Sequence, residues 1–138
     1  MSAEAKSDLS FEIDRLQKLV LNLTQTLTES QPTDIYASHL GHMNHSFYNG
    51  FEKCLIFILT IKGIQRPSDS HWHRSLLDLF QDQFSGDWVA IEELRGFRHI
   101  FRHTYYYDLE FSKVSEVSRK VEPLWEELAP WLKTFIDP

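Results

Sequence analysis

Residues 36–64 read YASHLGHMNHSFYNGFEKCLIFILTIKGI. Tyr36, Leu40, Met43, Phe47, Gly50, Cys54, Phe57, Ile61 and Ile64 recur at alternating steps of four and three. That spacing sets them on one stripe of an α-helix, and no alternating apolar and polar run of useful length supports a strand instead. Thr33 or Asp34 can cap the start, and Gly63 marks the end. Gly50 on the seam would let a neighbouring helix approach closely.

The same period extends outward on both sides. Leu9, Ile13, Leu16, Val20, Leu23 and Leu27 form an earlier stripe, which Pro32 interrupts. After the long helix, QRPSDS at 65–70 is polar and holds a proline, so it reads as a loop. Asp69 or Ser70 can cap a short helix through Trp72, Leu76, Leu77 and Phe80, and Gly86 separates it from another beginning near Asp87. The last seam is Val114, Val117, Val121, Leu124, Leu128, Trp131 and Phe135, with a kink or break expected at Pro123 and Pro130. The expected fold is all-α: an up-and-down bundle of four to five helices, with residues 1–138 forming one domain.

Composition narrows the function. The chain carries 20 acidic against 14 basic residues, a formal charge of -6, which argues against indiscriminate nucleic-acid binding but not against a local basic patch. The five glycines, at 41, 50, 63, 86 and 96, are too dispersed for a dinucleotide loop, a phosphate loop or a nucleophile elbow. No Glu or Asp lies three residues from a His, which removes the di-iron pattern of helical bundles. His39, His42 and His45 recur every three residues, but the first and last point about 120° apart on a helix, so they read as exposed or partly buried polar residues. His71 and His73 flank Trp72 at a helix start, where capping and packing explain them. Cys54, the single cysteine, reads as a small buried hydrophobe. No cofactor or metal is expected. The first ten residues carry no secretory pattern and no apolar run is long enough to cross a bilayer, so the expected location is cytoplasmic, with no membrane partner.

Against this acidic background, residues 95–110 read RGFRHIFRHTYYYDLE. On a helix at about 100° per residue, Ala90, Leu94, Phe97, Ile100, Phe101 and Thr104 share one arc, while Arg95, Arg98, His99, Arg102 and His103 share the opposite one. No carboxylate lies on the cationic arc between 94 and 107, so its groups repel one another by about a few tenths of a kcal/mol per pair. A polyanion would relieve that. The residue types suit cleavage of RNA through its own 2′-hydroxyl. Histidine can move a proton near neutral pH, arginine presents a donor fork to phosphate oxygens, and neighbouring aromatics can stack unpaired bases.

Arg98, four residues, His103, one residue and Tyr105 together resemble the R-x4-H-x-Y signature of the HepT toxins, within the HEPN group of all-helical ribonucleases. The arginines around Gly96, the repeated aromatic-Arg-His of FRHIFRH and the following Tyr-Asp-Leu are similar to that family's flanks. A second R-x4-H, Arg66 to His71, crosses Pro67 and lacks the tyrosine. The resemblance implies a HEPN-like bundle that pairs as a homodimer, with two motifs facing one cleft. It implies the toxin of a type VII-like toxin–antitoxin system: a metal-independent endoribonuclease acting on cellular RNA, tRNA among its substrates. Arg98 and His103 would be catalytic, with Arg95, His99, Arg102 and Tyr106 binding RNA or supporting the site. A minimal nucleotidyltransferase antitoxin (MNT type) would neutralise it by attaching AMP to Tyr105. Many HEPN ribonucleases carry Asn or Asp after the arginine where this chain has His99, so His99 and His103 both stand as acid–base candidates, the spacing favouring His103. The alternative is a non-catalytic helical module that docks a nucleotidyltransferase or a nucleotide.

Overall fold

A computed structural model describes residues 2–103 and 109–137, with the His103 side chain excepted. Among these residues there are six helices and no strand: α1 (Ser2–Glu29), α2 (Asp34–Lys62), α3 (Trp72–Phe80), α4 (Trp88–His103), α5 (Phe111–Ser118) and α6 (Val121–Lys133). None is long and apolar enough to cross a membrane.

The first stripe is buried as its spacing requires: Leu9, Ile13, Leu16, Val20 and Leu23 of α1 all lie in the core, while Leu27 is half-buried. α2 begins where Thr33 accepts the Tyr36 N–H at 3.3 Å. It ends at Gly63, whose φ of 71° is open to glycine without strain, while the Ile64 N–H reaches back to the Leu59 carbonyl at 2.9 Å. Ile64 therefore stands beyond the helix and is exposed, not on the seam.

α2 packs against α1, α3, α4 and α5, so it is buried on more than one side. Besides the seam residues Leu40, Met43, Phe47 and Cys54, a second set made of Tyr48, Phe51, Leu55, Ile58 and Leu59 is buried. Gly50 performs the close approach expected of it. A Cβ there would lie 2.5 Å from Leu16 Cδ2, closer than real side chains come, so α1 can sit this near only over glycine. Burial pushes the Cys54 thiol up, in keeping with a packing role.

The seam from Val114 to Phe135 is divided. α5 ends at Ser118, a turn covers Arg119 and Lys120, and α6 restarts at Val121. Pro123 cannot bond to the Arg119 carbonyl and its ring would strike it, so the break falls just before the proline, which then occupies a first-turn position needing no donor. At Pro130 there is no break, and α6 runs through it to Lys133.

Two apolar clusters result. The larger joins α1, α2, α3, α6 and the first half of α4. The smaller, at the other end of α4, gathers Ala37, Leu40, Phe97, Leu109 and Val114, with Leu27, Phe101, Phe111 and Val117 packed on it. Buried Asn44 ties α2 to α5 there, donating to the Val114 carbonyl at 3.3 Å while Ser118 Oγ lies 2.9 Å from its Oδ1.

Candidate functional site

The cationic segment is built on α4, whose first turn is capped by Asp87 accepting the Ala90 N–H at 3.0 Å. Ala90, Ile91, Leu94 and Phe97 face the core. Phe101 is half-buried, whereas Ile100, placed on the apolar arc by its angle, is 53% exposed. Its side of α4 borders an open groove toward α5, lined by Gly96, Phe97, Leu109 and Val117, so no helix covers it.

The cations of the outer arc are not alike. Arg95 donates from Nε to Glu92 at 3.3 Å, and the same carboxylate takes a two-pronged bond from Arg74 of α3 at 2.8 and 2.7 Å. The Arg74 fork is the chief reason that the Glu92 carboxyl lies below its ordinary range, and Arg95 adds to it against the opposing effect of burial. The expectation of an uncompensated cationic arc therefore fails at Arg95, because its carboxylate stands one turn before it, outside the span from 94 to 107. Arg98 and Arg102 differ: neither forms an ion pair among the described residues. Arg98 is half-buried and Arg102 exposed, as is His99.

Arg98 leans on α2. Its Nε lies 3.4 Å from Asn49 Oδ1, and Asn49 Nδ2 lies 3.1 Å from His45 Nε2. The His45 ring packs on Phe101 with centroids 5.1 Å apart, and its Nδ1 is buried without a hydrogen-bond partner among the described residues. Burial, followed by Arg98, Arg102 and His42, holds the His45 imidazole below the ordinary histidine range, against an opposing pull from Glu52. His45 therefore differs from His39 and His42, which are exposed.

One turn beyond Asn49 on α2, Glu52 is 4% exposed, and its carboxylate accepts from His73 Nδ1 of α3 at 2.8 and 2.9 Å. His73 is thus more than a packing residue: it satisfies a buried acid. His71 remains at the start of α3, its N–H bonded to Asp69 Oδ1 at 3.0 Å. Beside Glu52, burial and that carboxylate push the Tyr48 hydroxyl up, and its oxygen has no partner in hydrogen-bonding geometry.

The structure thus brings Arg98 together with His45 and Asn49, and diverts Arg95 into a link with α3. His103 closes α4, its side chain outside the described residues, as are Tyr105 and Tyr106 entirely. His45 and Asn49 do not stand out as site residues in the sequence reading, although a signal exists: His42, His45, Asn49 and Glu52 make a polar stripe at steps of three, four and three along α2.

Chemically, the exposed end of α4 offers two guanidiniums to an anion, next to a neutral imidazole. Residues 39–138 match the family model described as "HepT-like protein", a span that holds most of α2 and all of α3 to α6. No curated protein and no solved structure matches the chain.

Proposed function

The chain belongs to the HepT-like family, and on that premise we propose that it is the toxin of a HEPN/MNT toxin–antitoxin pair, a cytoplasmic endoribonuclease formed by a single domain. The observation that carries this reading is the state of Arg98: half-buried at the mouth of the α2–α4 contact, inside the R-x4-H-x-Y pattern, and not neutralised by any described carboxylate.

In the proposed reaction His103 takes the proton of an RNA 2′-hydroxyl as its oxygen attacks the neighbouring phosphorus. The bond from phosphorus to the 5′-oxygen breaks, that oxygen receives the proton His103 now carries, and a 2′,3′-cyclic phosphate remains. Arg98, supported by Arg102, holds the phosphate oxygens as negative charge grows on them. No metal takes part, since the nucleophile is the substrate's own. His99 and Tyr106 contribute to RNA binding, and Arg95 supports the helix through Glu92. Two copies of the chain face each other so that both motifs line one cleft. A nucleotidyltransferase antitoxin silences the site when the Tyr105 oxygen attacks the α-phosphorus of ATP, pyrophosphate leaves and the phenolic proton is released. The AMP so attached places an anion where the RNA phosphate must sit.

The test is cleavage of tRNA and of total cellular RNA by the partner-free chain with EDTA present. Replacement of His103 by Ala should lower cleavage by about 10²- to 10⁴-fold with helical content unchanged. Undiminished cleavage by that variant would remove His103 from the reaction. RNA left intact by the unaltered chain, together with tight binding of ATP or a nucleotidyltransferase, would support the docking module instead.

A further inference from the structure

The bond from Arg98 of α4 to Asn49 of α2, together with the bond from Asn49 to His45 within α2, fixes a proton as well as a side chain. An arginine guanidinium only donates, so the Asn49 atom facing Arg98 Nε must be the carbonyl oxygen. The other end of the amide is then its NH2, and it must donate to His45 Nε2 at 3.1 Å. His45 Nε2 can accept only if it carries a lone pair, which makes the ring neutral with its proton on Nδ1. A charged His45 would set an N–H against the amide's own hydrogens. The amide would have to turn over, and turning it over would point NH2 at the guanidinium.

We propose that Asn49 is the positioning residue for Arg98, holding its guanidinium only while His45 is neutral, so that protonation of His45 releases the motif arginine. The placement of His45 supports this. Its ring is packed on Phe101, and among the described residues the charged or titratable groups acting on it are Arg98 and Arg102 from α4 and His42 and Glu52 from α2. All but Glu52 oppose a positive ring, so the neutral form prevails near pH 7 and is lost on acidification. The functional consequence rests on the reading of Arg98 as the phosphate-holding residue, but the proton coupling does not.

The full chain, labelled with ¹⁵N, tests the coupling without RNA. Long-range imidazole correlations at pH 7 should show His45 with a protonated Nδ1 and a bare Nε2, and the Arg98 Nε–H resonance should change in step with His45 as pH falls. Asn49→Asp can accept from Arg98 and from a charged His45 together, so it should raise the His45 midpoint and uncouple the two signals. A His45 protonated at Nε2 at pH 7, or an Arg98 signal indifferent to its titration, would overturn the proposal. Cleavage then reports on positioning: Asn49→Leu should lower kcat by about tenfold to a hundredfold with a smaller change in KM. Asn49→Leu cleaving like the unaltered chain would overturn the positioning role, with Asn49→Asp as the folded control. Coupled titrations in a chain that cuts no RNA would uphold the coupling and sink the ribonuclease reading alone.

Discussion

Arg95 and Arg98 stand one helical turn apart on α4, and the protein treats them in opposite ways. Arg95 shares Glu92 with Arg74, so its charge is spent within a network that fastens α4 to α3. Among the described residues Arg98 has only an amide oxygen for a partner, at the longer distance of 3.4 Å. A neutral acceptor orients a guanidinium without cancelling its charge, and that leaves Arg98 able to meet an anion. The contrast follows the packing beneath. The first half of α4 rests on the large core, while Phe97 and Phe101 rest on the small cluster with α5.

The sharpest way to break this contrast is to remove each arginine in turn. Arg98→Ala should reduce RNA cleavage by about 10²- to 10³-fold, the usual scale for a group that meets developing charge. Arg95→Ala should change it by less than about threefold, since a rim ion pair contributes less than about 1 kcal/mol. Equal losses in kcat/KM would mean that the pairing with Glu92 does not separate their roles.

Next in size is the bond between α3 and α2 at Glu52. His73→Ala would leave the Glu52 carboxylate, 4% exposed, without its donor. A buried acceptor stripped of its partner costs about 1–3 kcal/mol, which denaturant melts can resolve. Cleavage per folded molecule should hold, because His73 bonds to Glu52 and, among the described residues, to neither Arg98 nor Asn49. A His73→Ala chain as stable as the original would show that Glu52 finds another donor.

What could be read in advance follows from how each feature is encoded. The α1 stripe is legible because that helix buries a single face, and its seam residues from Leu9 to Leu23 are buried as expected. α2 was half legible, since a helix touched from several sides loses the contrast between faces, and Tyr48, Phe51 and Leu55 went unnoticed. The division at Arg119 was anticipated through Pro123, whereas Pro130 was tolerated within α6. For the site, Arg98 and Arg102 were legible because the motif is contiguous in sequence. The bond from Arg98 to Asn49 spans 49 positions and exists only once α2 and α4 pack. Glu92 lies outside the basic segment itself, although a partner three residues before Arg95 is ordinary helical spacing.

Two glycines of α2 sharpen the contrast between the clusters under α4. At Gly50, over the large core, an added methyl would meet Leu16 Cδ2 at 2.5 Å, and Leu16 is almost fully buried. Overpacking costs about 1–3 kcal/mol, offset by about 1 kcal/mol of helix propensity, so Gly50→Ala should still lower stability. At Gly41, over the small cluster, the nearest atoms are Leu109 Cδ1 at 3.2 Å and Phe101 carbons at 3.3 Å. Half-buried Phe101 can give way, so Gly41→Ala should lie within about 0.5 kcal/mol of the parent, the propensity gain offsetting the contact. Thermal melts in which Gly41→Ala proves the more damaging would reverse the ranking of the two clusters.

The smallest effect belongs to His45, and its sign follows from linkage. The folded protein holds this imidazole below the ordinary histidine value near 6.5, chiefly through burial and then through Arg98. Above that value the ring is neutral folded and unfolded, and it contributes no pH dependence. As pH falls through 6.5 the unfolded chain takes up its proton first, so stability declines until the folded state is protonated as well. His45→Gln keeps a polar side chain at Asn49 but cannot titrate, so its stability should fall less between pH 7 and pH 5 than that of the parent. Urea melts at the two pH values give the difference directly. Parallel losses in the two chains would place His45 outside the acid response and leave Arg98 held to Asn49 independently of pH.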